Sequence, residues 1–243
     1  MSPEEYSNLD RVEKTHWYYA GKREIVEYWI NFDGAPCGSL LDCGAGSGAF
    51  ALAMSKRFQV HAMDDHSESL EILKQRLPIE SVVVGSCIKI PYPDCSFDVV
   101  TALDVLEHIP DDCLAVSEMI RVLKPGGKFV ITVPAMMALW SDWDVSLHHQ
   151  RRYSKKGLMC IFENLPIDVC YCGYINIFAL PMVWLLRKIR AIGFWPYGRA
   201  EDSIPPAIVN RILQWLFVAH AKSGIKVPFG VGLLLCGTRV ADK

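Results

Sequence analysis

Asp42 stands directly before three glycines spaced two apart, in Leu40-Leu41-Asp42-Cys43-Gly44-Ala45-Gly46-Ser47-Gly48, and the helix-forming run Ala49-Phe50-Ala51-Leu52-Ala53-Met54 follows at once. Glycine is required where the backbone takes positive φ or where a ligand must come within van der Waals distance of the main chain. A helix beginning beside such a turn offers free N–H groups to negative charge. A nucleotide-like ligand is the natural occupant. Two details narrow its chemistry. No Gly-Lys-Ser/Thr follows, which argues against a phosphate-cradling loop. A carboxylate at Asp42 would repel a pyrophosphate and suit a cation, which disfavours a nicotinamide-dependent oxidoreductase.

Other residues could do chemistry farther along. Asp64 closes the apolar run Val60-His61-Ala62-Met63, 22 residues after Asp42, and an acid about 20 residues on is placed to hold a ribose diol. His108 follows Leu103-Asp104-Val105-Leu106-Glu107; its ordinary pKa near neutrality suits a general base, or the segment simply opens the next helical region. The densest polar cluster is Trp140-Ser141-Asp142-Trp143-Asp144 with His148-His149-Gln150-Arg151-Arg152-Tyr153. Here His148 or His149 could deprotonate an acceptor hydroxyl, and Arg151 and Arg152 could bind a phosphate or carboxylate bidentately. Trp140 and Tyr153 join them as substrate contacts. Asp142 or Asp144 could complete a metal set, but the spacing is not diagnostic and no metal is expected. A structural role competes, with His and Arg holding backbone carbonyls.

The elements that must position these groups read as alternating strands and helices. The strands are short apolar runs without alternation, as when helices cover both faces. Helical segments at Ser67–Gln75 and Asp111–Val122 imply right-handed crossovers and a parallel sheet. Ligands of such sheets bind at the carboxyl ends of the strands, where Asp42, Gly44, Asp64, Ser86 and Leu103 fall. Ser154 reads as an N-cap for a helix from Lys155 to Asn164.

These residues resemble the class I S-adenosylmethionine-dependent methyltransferases, whose first motif is acid-x-Gly-x-Gly-x-Gly. The likeness continues through Val82-Val83-Val84-Gly85-Ser86-Cys87, Pro91-Tyr92-Pro93-Asp94-Cys95-Ser96-Phe97-Asp98-Val99-Val100, Leu103 to His108, and Arg121-Val122-Leu123-Lys124-Pro125-Gly126-Gly127-Lys128-Phe129-Val130-Ile131, and covers residues 38 to 135. It implies an α/β, Rossmann-like, seven-stranded mixed sheet with helices on both faces and strand seven antiparallel. It also implies S-adenosyl-L-methionine as cofactor. Asp42 with Gly44, Ala45, Gly46 and Gly48 would hold the methionyl end. Asp64, with Asp65 beside it, would take the ribose, Ser86 and Cys87 the adenine, and Leu103 would join them as a cofactor contact. Ser86 departs from the family's usual Asp, which puts adenine affinity in doubt. Related enzymes close the segment before the first strand over the cofactor, so Trp17, Tyr19 and Arg23 are expected there, Arg23 forking a methionyl carboxylate; the alternative is an aromatic helix packed for stability. The Trp-Ser-x-x-Asp and His-x-Arg-Arg-Tyr pattern is similar to that of a subgroup of bacterial methyltransferases.

At 243 residues the chain fits one domain: a helical cap (1–35), a core sheet (36–173 and 229–243) and an apolar helical insertion (174–228). Strand six reads at Ile167–Cys172 and strand seven at Val231–Arg239. The insertion reads as an apolar helix over Tyr174–Leu186, a turn at Phe194-Trp195-Pro196-Tyr197-Gly198 and a second helix over Pro205–Ala221. A lid over the substrate, a peripheral membrane or lipid-tail contact through 174–221, and a homodimer interface compete for it. A net charge of -2 gives no basic field for nucleic acid. Nine cysteines without a CxxC pair read as reduced, mostly buried thiols, and Ser2-Pro3-Glu4-Glu5 opens a helix rather than a signal peptide. The reading is a cytoplasmic enzyme, with membrane association left open by the insertion, that methylates an oxygen of a small-molecule or lipid-linked acceptor. A non-catalytic cofactor-binding module is the other alternative.

Overall fold

A computed structural model describes residues 12–34, 36–191 and 204–240. Seven strands form one sheet: β1 (Ser39–Cys43), β2 (Gln59–Asp64), β3 (Val82–Val84), β4 (Phe97–Leu103), β5 (Leu123–Pro134), β6 (Ile167–Ile175) and β7 (Gly232–Arg239). Their order is β3-β2-β1-β4-β5-β7-β6. The first five run parallel, and β7 inserts antiparallel between β5 and β6. The chain reverses strand order between β1 and β4, so a crevice opens where Asp42 and Leu103 end their strands, the general binding place in such sheets.

Adjacent strand residues feed opposite cores, which explains the unbroken apolar runs. Leu40, Val99 and Val130 pack on one face with Phe50, Leu73, Trp29 and Phe217. Leu41, Val100, Phe129 and Ile131 pack on the other with Met119, Ile120, Leu158 and Phe162. The helices are α1 (Trp17–Asn31), α2 (Ala49–Met54), α3 (Ser67–Arg76), α4 (Asp112–Val122), α5 (Asp142–Ser146), α6 (Lys155–Cys160), α7 (Leu180–Ala191) and α8 (Ala207–Ser223). Each fully buried large side chain here contributes about 1.5–3 kcal/mol.

α1 and α8 pack on each other. Tyr18 stacks on Phe217 at 5.7 Å between centroids, and the Trp29 indole donates to the Ala221 carbonyl at 3.2 Å. Asn210 accepts from Trp17 N and donates to the Thr15 carbonyl. The N-terminal cap and the insertion therefore form one layer over the sheet, a pairing of segments about 200 residues apart that periodicity alone does not reveal.

Three boundaries differ from expectation. β6 runs on to Ile175, pairing Tyr174 with Leu233, and Asn176 then turns at φ 63°, so the first insertion helix starts at Leu180 rather than at 174. α6 stops at Cys160 because the chain turns before β6, with Asn164 at φ 69°. The second insertion helix runs to Ser223, closed by Gly224 at φ 68°. Five of the nine cysteines, Cys37, Cys95, Cys113, Cys160 and Cys170, are exposed, so the expectation of mostly buried thiols is corrected; all nine are free. Cys170 faces solvent and Cys172 the core; regular alternation would put them on one face, and the register shift between Val169 and Tyr171 separates them. The Ser2–Glu5 and Phe194–Gly198 readings lie outside the described residues.

Candidate active site

The carboxyl ends of β1, β2 and β4 open into a cavity of about 1000 Å³. At one end is the glycine turn. The Ala45 amide donates to the Met63 carbonyl at 3.0 Å. The Gly46 amide donates to Asp64 Oδ2 at 2.9 Å, and the His66 amide to Asp64 Oδ1 at 3.0 Å. Asp64 thus holds the turn as well as facing the cavity. Gly46 sits at φ 55° with open space where a Cβ would stand, a cradle for close approach of a ligand to the main chain. Gly44, Ala45, Gly46, Asp65, Ser86, Cys87 and Leu103 also line this end.

Gly48 does not line the cavity. It caps α2 at φ 77°, and a Cβ there would meet Leu73 Cδ2 at 2.5 Å. Its glycine serves helix packing, so the expected cofactor contact is corrected.

Asp42 is buried and accepts from Thr101 Oγ1 at 2.8 Å. Burial pushes its carboxyl up to about 7, with Asp64 and Glu13 adding to the rise and Thr101 and Lys22 opposing it. Glu13 lines the same end, bonded to the Ser47 hydroxyl, and burial raises it as well. Carboxylates crowd around a dry turn here. A cationic ligand relieves that crowding; a pyrophosphate would worsen it. The donor set therefore fits a sulfonium carrying an α-amine. A consequence is testable by calorimetry: adenosylhomocysteine affinity is expected to be flat above pH 8 and to fall as pH drops through 7, by up to about tenfold per unit, because binding must then expel a proton from Asp42. Asp42→Asn should flatten that slope.

Asp104 occupies the middle of the wall at φ 56°. Its carboxylate accepts from Lys22 Nζ at 2.7 Å, Tyr18 Oη at 3.1 Å and Thr132 Oγ1 at 2.9 Å. Burial pushes Lys22 down, but Asp104 outweighs it and holds the ammonium above its usual value. Burial likewise pushes Asp104 up, and Lys22 brings it below the ordinary carboxylate range. Neither Tyr18 nor Lys22 was expected as a site residue; Asp104, at the end of β4, falls where the family resemblance puts residues facing the transferred methyl. The i,i+4 spacing of Tyr18 and Lys22, which puts both on one helix face, was the available signal. Tyr19 and Arg23 line the cavity as expected. Arg23 Nη1 donates to the Glu13 carbonyl at 2.5 Å. Trp17 reaches the wall while packing edge-on against Phe217.

The far end gathers Glu107, His108, Trp143, His148, His149 and Arg152. Leu106–His108 is a single 3-10 turn, and it brings the His108 ring to 4.8 Å from that of His149. Burial, then the His149 ring, pushes His108 down to about 4, so its imidazole is neutral. His149 Nδ1 bonds Asp144 Oδ1 at 3.0 Å, which orients the ring and sets Nε2 4.0 Å from Glu107 Oε1. His148, at φ 57°, is exposed at the rim.

Three expected substrate contacts are corrected. Arg151 turns outward to Asp112 Oδ2 and the Pro110 carbonyl. Tyr153 is buried, donating to Asp112 Oδ2 at 2.7 Å and to the Leu106 carbonyl. Trp140 follows a 3-10 turn and does not line the cavity, whereas Trp143 does. Arg152 lines it from behind: its Nε donates to Asp144 Oδ1 at 2.6 Å and its Nη1 to the Ala135 carbonyl. Asp144 also closes a capping box with Ser141. Ala179, Met182, Val183, Val209 and Leu213, from α7, α8 and the approach to α7, complete an apolar wall. No helix among the described residues is long and apolar enough to cross a membrane.

Residues 41–131 match the Methyltransferase domain family. A protein of Mycolicibacterium smegmatis, named as a probable S-adenosylmethionine-dependent methyltransferase, is 32% identical over 129 residues, covering 52% of this chain and 50% of its own length. The ubiquinone biosynthesis O-methyltransferase of Idiomarina loihiensis is 34% identical over 173 residues, 65% of this chain and 71% of that one. The chain spans about half the length of several other curated relatives it matches. Among solved structures, a SAM-dependent methyltransferase of Thermotoga maritima superposes with a TM-score of 0.61 at 16% identity, over 97% of this chain and 94% of that one.

Proposed function

The chain belongs to the class I S-adenosylmethionine-dependent methyltransferases, and from that premise we propose that it methylates an oxygen of a small or lipid-linked, largely apolar acceptor. One observation carries the reading: a single cavity joins the acidic glycine turn to the imidazole cluster under an apolar wall. Asp42 and the Gly44–Gly46 turn would hold the methionyl end, Asp64 and Asp65 the ribose, and Ser86 and Cys87 the adenine. When bound, the donor supplies a methyl carbon on a cationic sulfur; the acceptor oxygen forms the new C–O bond as the C–S bond breaks, its electron pair staying on sulfur.

The remaining work falls to this chain. The apolar wall from α7 and α8 shields the reacting atoms from water, and the cavity walls hold the acceptor in line, where orientation supplies much of the rate. His108 and the Nε2 of His149 face the acceptor end, and His148 at the rim can pass a proton to solvent. Exposed Phe178, Trp184, Leu185, Ile208, Ile212 and Trp215 on and beside the same helices support a lipid-linked acceptor arriving from a membrane surface. The Idiomarina relative, named for ubiquinone biosynthesis, supports an oxygen acceptor.

Calorimetric titration with adenosylhomocysteine and with NADH tests the premise of this mechanism. One equivalent of adenosylhomocysteine is expected to bind with micromolar or tighter affinity. Binding of NADH alone would sink it.

A further inference from the structure

Glu107 is the least explained side chain in the cavity wall. It is fully buried, it lines the acceptor end, and neither carboxylate oxygen has a hydrogen-bond partner among the described residues. A buried carboxylate without partners is costly and calls for a compensating group. Its neighbours are two imidazoles: Glu107, His108 and His149 each offer one ligand atom, all within 4.8 Å of one another. His149 Nε2 stands 4.0 Å from Glu107 Oε1.

We propose that Glu107, His108 and His149 form a divalent transition-metal site at the acceptor end of the cavity, binding the acceptor oxygen at an open position. The role assigned to the ion rests on the methyltransferase reading above; the site itself rests on geometry. Two imidazoles and one carboxylate, with the remaining positions facing a cavity, are a donor set for ions such as Mn²⁺, Fe²⁺, Co²⁺ or Zn²⁺. Ligand atoms around one such ion lie about 3–3.5 Å apart, so groups within 4.8 Å of one another need to close by up to about 1.5 Å.

The surroundings of His149 support this assignment. Asp144 accepts from Nδ1–H at 3.0 Å, the carboxylate–histidine arrangement that fixes a ligating ring and raises its basicity. Arg152 Nε and the Ser141 amide in turn lock Asp144. A general base would be served by that pairing as well. The bare Glu107 carboxylate beside it would not, since a base needs no third donor converging on the same point. An ion seated there would lower the pKa of a bound acceptor hydroxyl, and the released proton would leave through His148 to solvent.

Cobalt(II) reports the site directly. The full chain, cleared of metals with a chelator, is titrated with Co²⁺ and followed by visible absorption, with adenosylhomocysteine binding measured on the same samples. One equivalent of Co²⁺ is expected, displaced by Zn²⁺. Glu107→Gln and His149→Ala should each weaken Co²⁺ binding by about 100-fold or more while leaving adenosylhomocysteine affinity within threefold, which also shows that the variants fold. Absence of a saturable cobalt spectrum, or equal cobalt binding by wild type and both variants, overturns the site. Adenosylhomocysteine bound without cobalt ends the metal site and leaves the donor reading intact. Cobalt bound without adenosylhomocysteine supports the site and ends the proposed function.

Discussion

Asp64→Ala is expected to weaken adenosylhomocysteine binding by about 100-fold or more, since hydrogen bonds to a charged group contribute about 1.5–3 kcal/mol each. The carboxylate has two duties. It receives the Gly46 and His66 amides, which sets the shape of the turn, and it faces the cavity where a ribose diol would sit. Removing it loses the sugar contacts and loosens the main chain that must cradle the rest of the ligand. Asp64→Asn keeps one acceptor and should lose about tenfold. Asp65→Ala should cost less: that side chain is 57% exposed and pairs with His66, so its share of the ribose contact is screened by water and a loss of about fivefold is expected. Calorimetry reads all three. An Asp64→Ala variant that binds within threefold of wild type would remove the second strand from the cofactor site.

How much of this was legible beforehand depends on whether the signal was local. The strand-turn-helix at Asp42–Met54 could be read because each requirement lies within a few residues: the apolar run, the positive-φ glycines, the helix formers. Asp64 could be read because a crossover helix fixes its distance along the chain. What could not be read was pairing across long separations. Lys22 meets Asp104 across 82 residues, and Asn210 meets Trp17 across 193. No periodicity encodes such partners. Arg151 and Arg152 show the limit at its smallest scale. They are adjacent, and successive side chains of extended chain point to opposite sides, so one faces solvent and the other the interior; the sequence does not say which. The burial of Glu107 was hidden for the same reason, because an acid before a histidine is unremarkable until the fold strips it of water.

The acceptor end also differs from the donor end in how its charges are held. At the donor end the carboxylates are crowded and await a cation, so ligand binding completes their electrostatics. At the middle and acceptor end, Lys22–Asp104 and Arg152–Asp144 are pairs already made within the chain. Such pairs contribute little to stability as pairs, but each is costly to break from one side. They position the groups around them: Asp104 fixes Tyr18, and Asp144 fixes His149. Substitutions at these positions should therefore read out first as stability and only then as chemistry.

Arg152→Ala gives that expectation its sharpest form. The Arg152 side chain is 3% exposed and that of Asp144 fully buried. Removing the guanidinium takes from a buried carboxylate its arginine partner, leaving the His149 ring and the Ser141 cap in place, and costs the Ala135 carbonyl that donor. Truncating one partner of a buried pair costs about 3–5 kcal/mol. In a domain of this size each kcal/mol moves the melting temperature by about 2–4 °C. A fall of roughly 10 °C is thus expected by scanning calorimetry. Arg152→Lys should recover part of it, because an ammonium can meet Asp144 but cannot span to Ala135 as the fork does. Arg151→Ala breaks a pair that is 32% exposed on the arginine side and should cost about 1 kcal/mol or less. The opposite result, an Arg152→Ala melting temperature within 2 °C of wild type together with a raised KM for the acceptor, would return Arg152 to the substrate and leave Asp144 and His149 without their anchor.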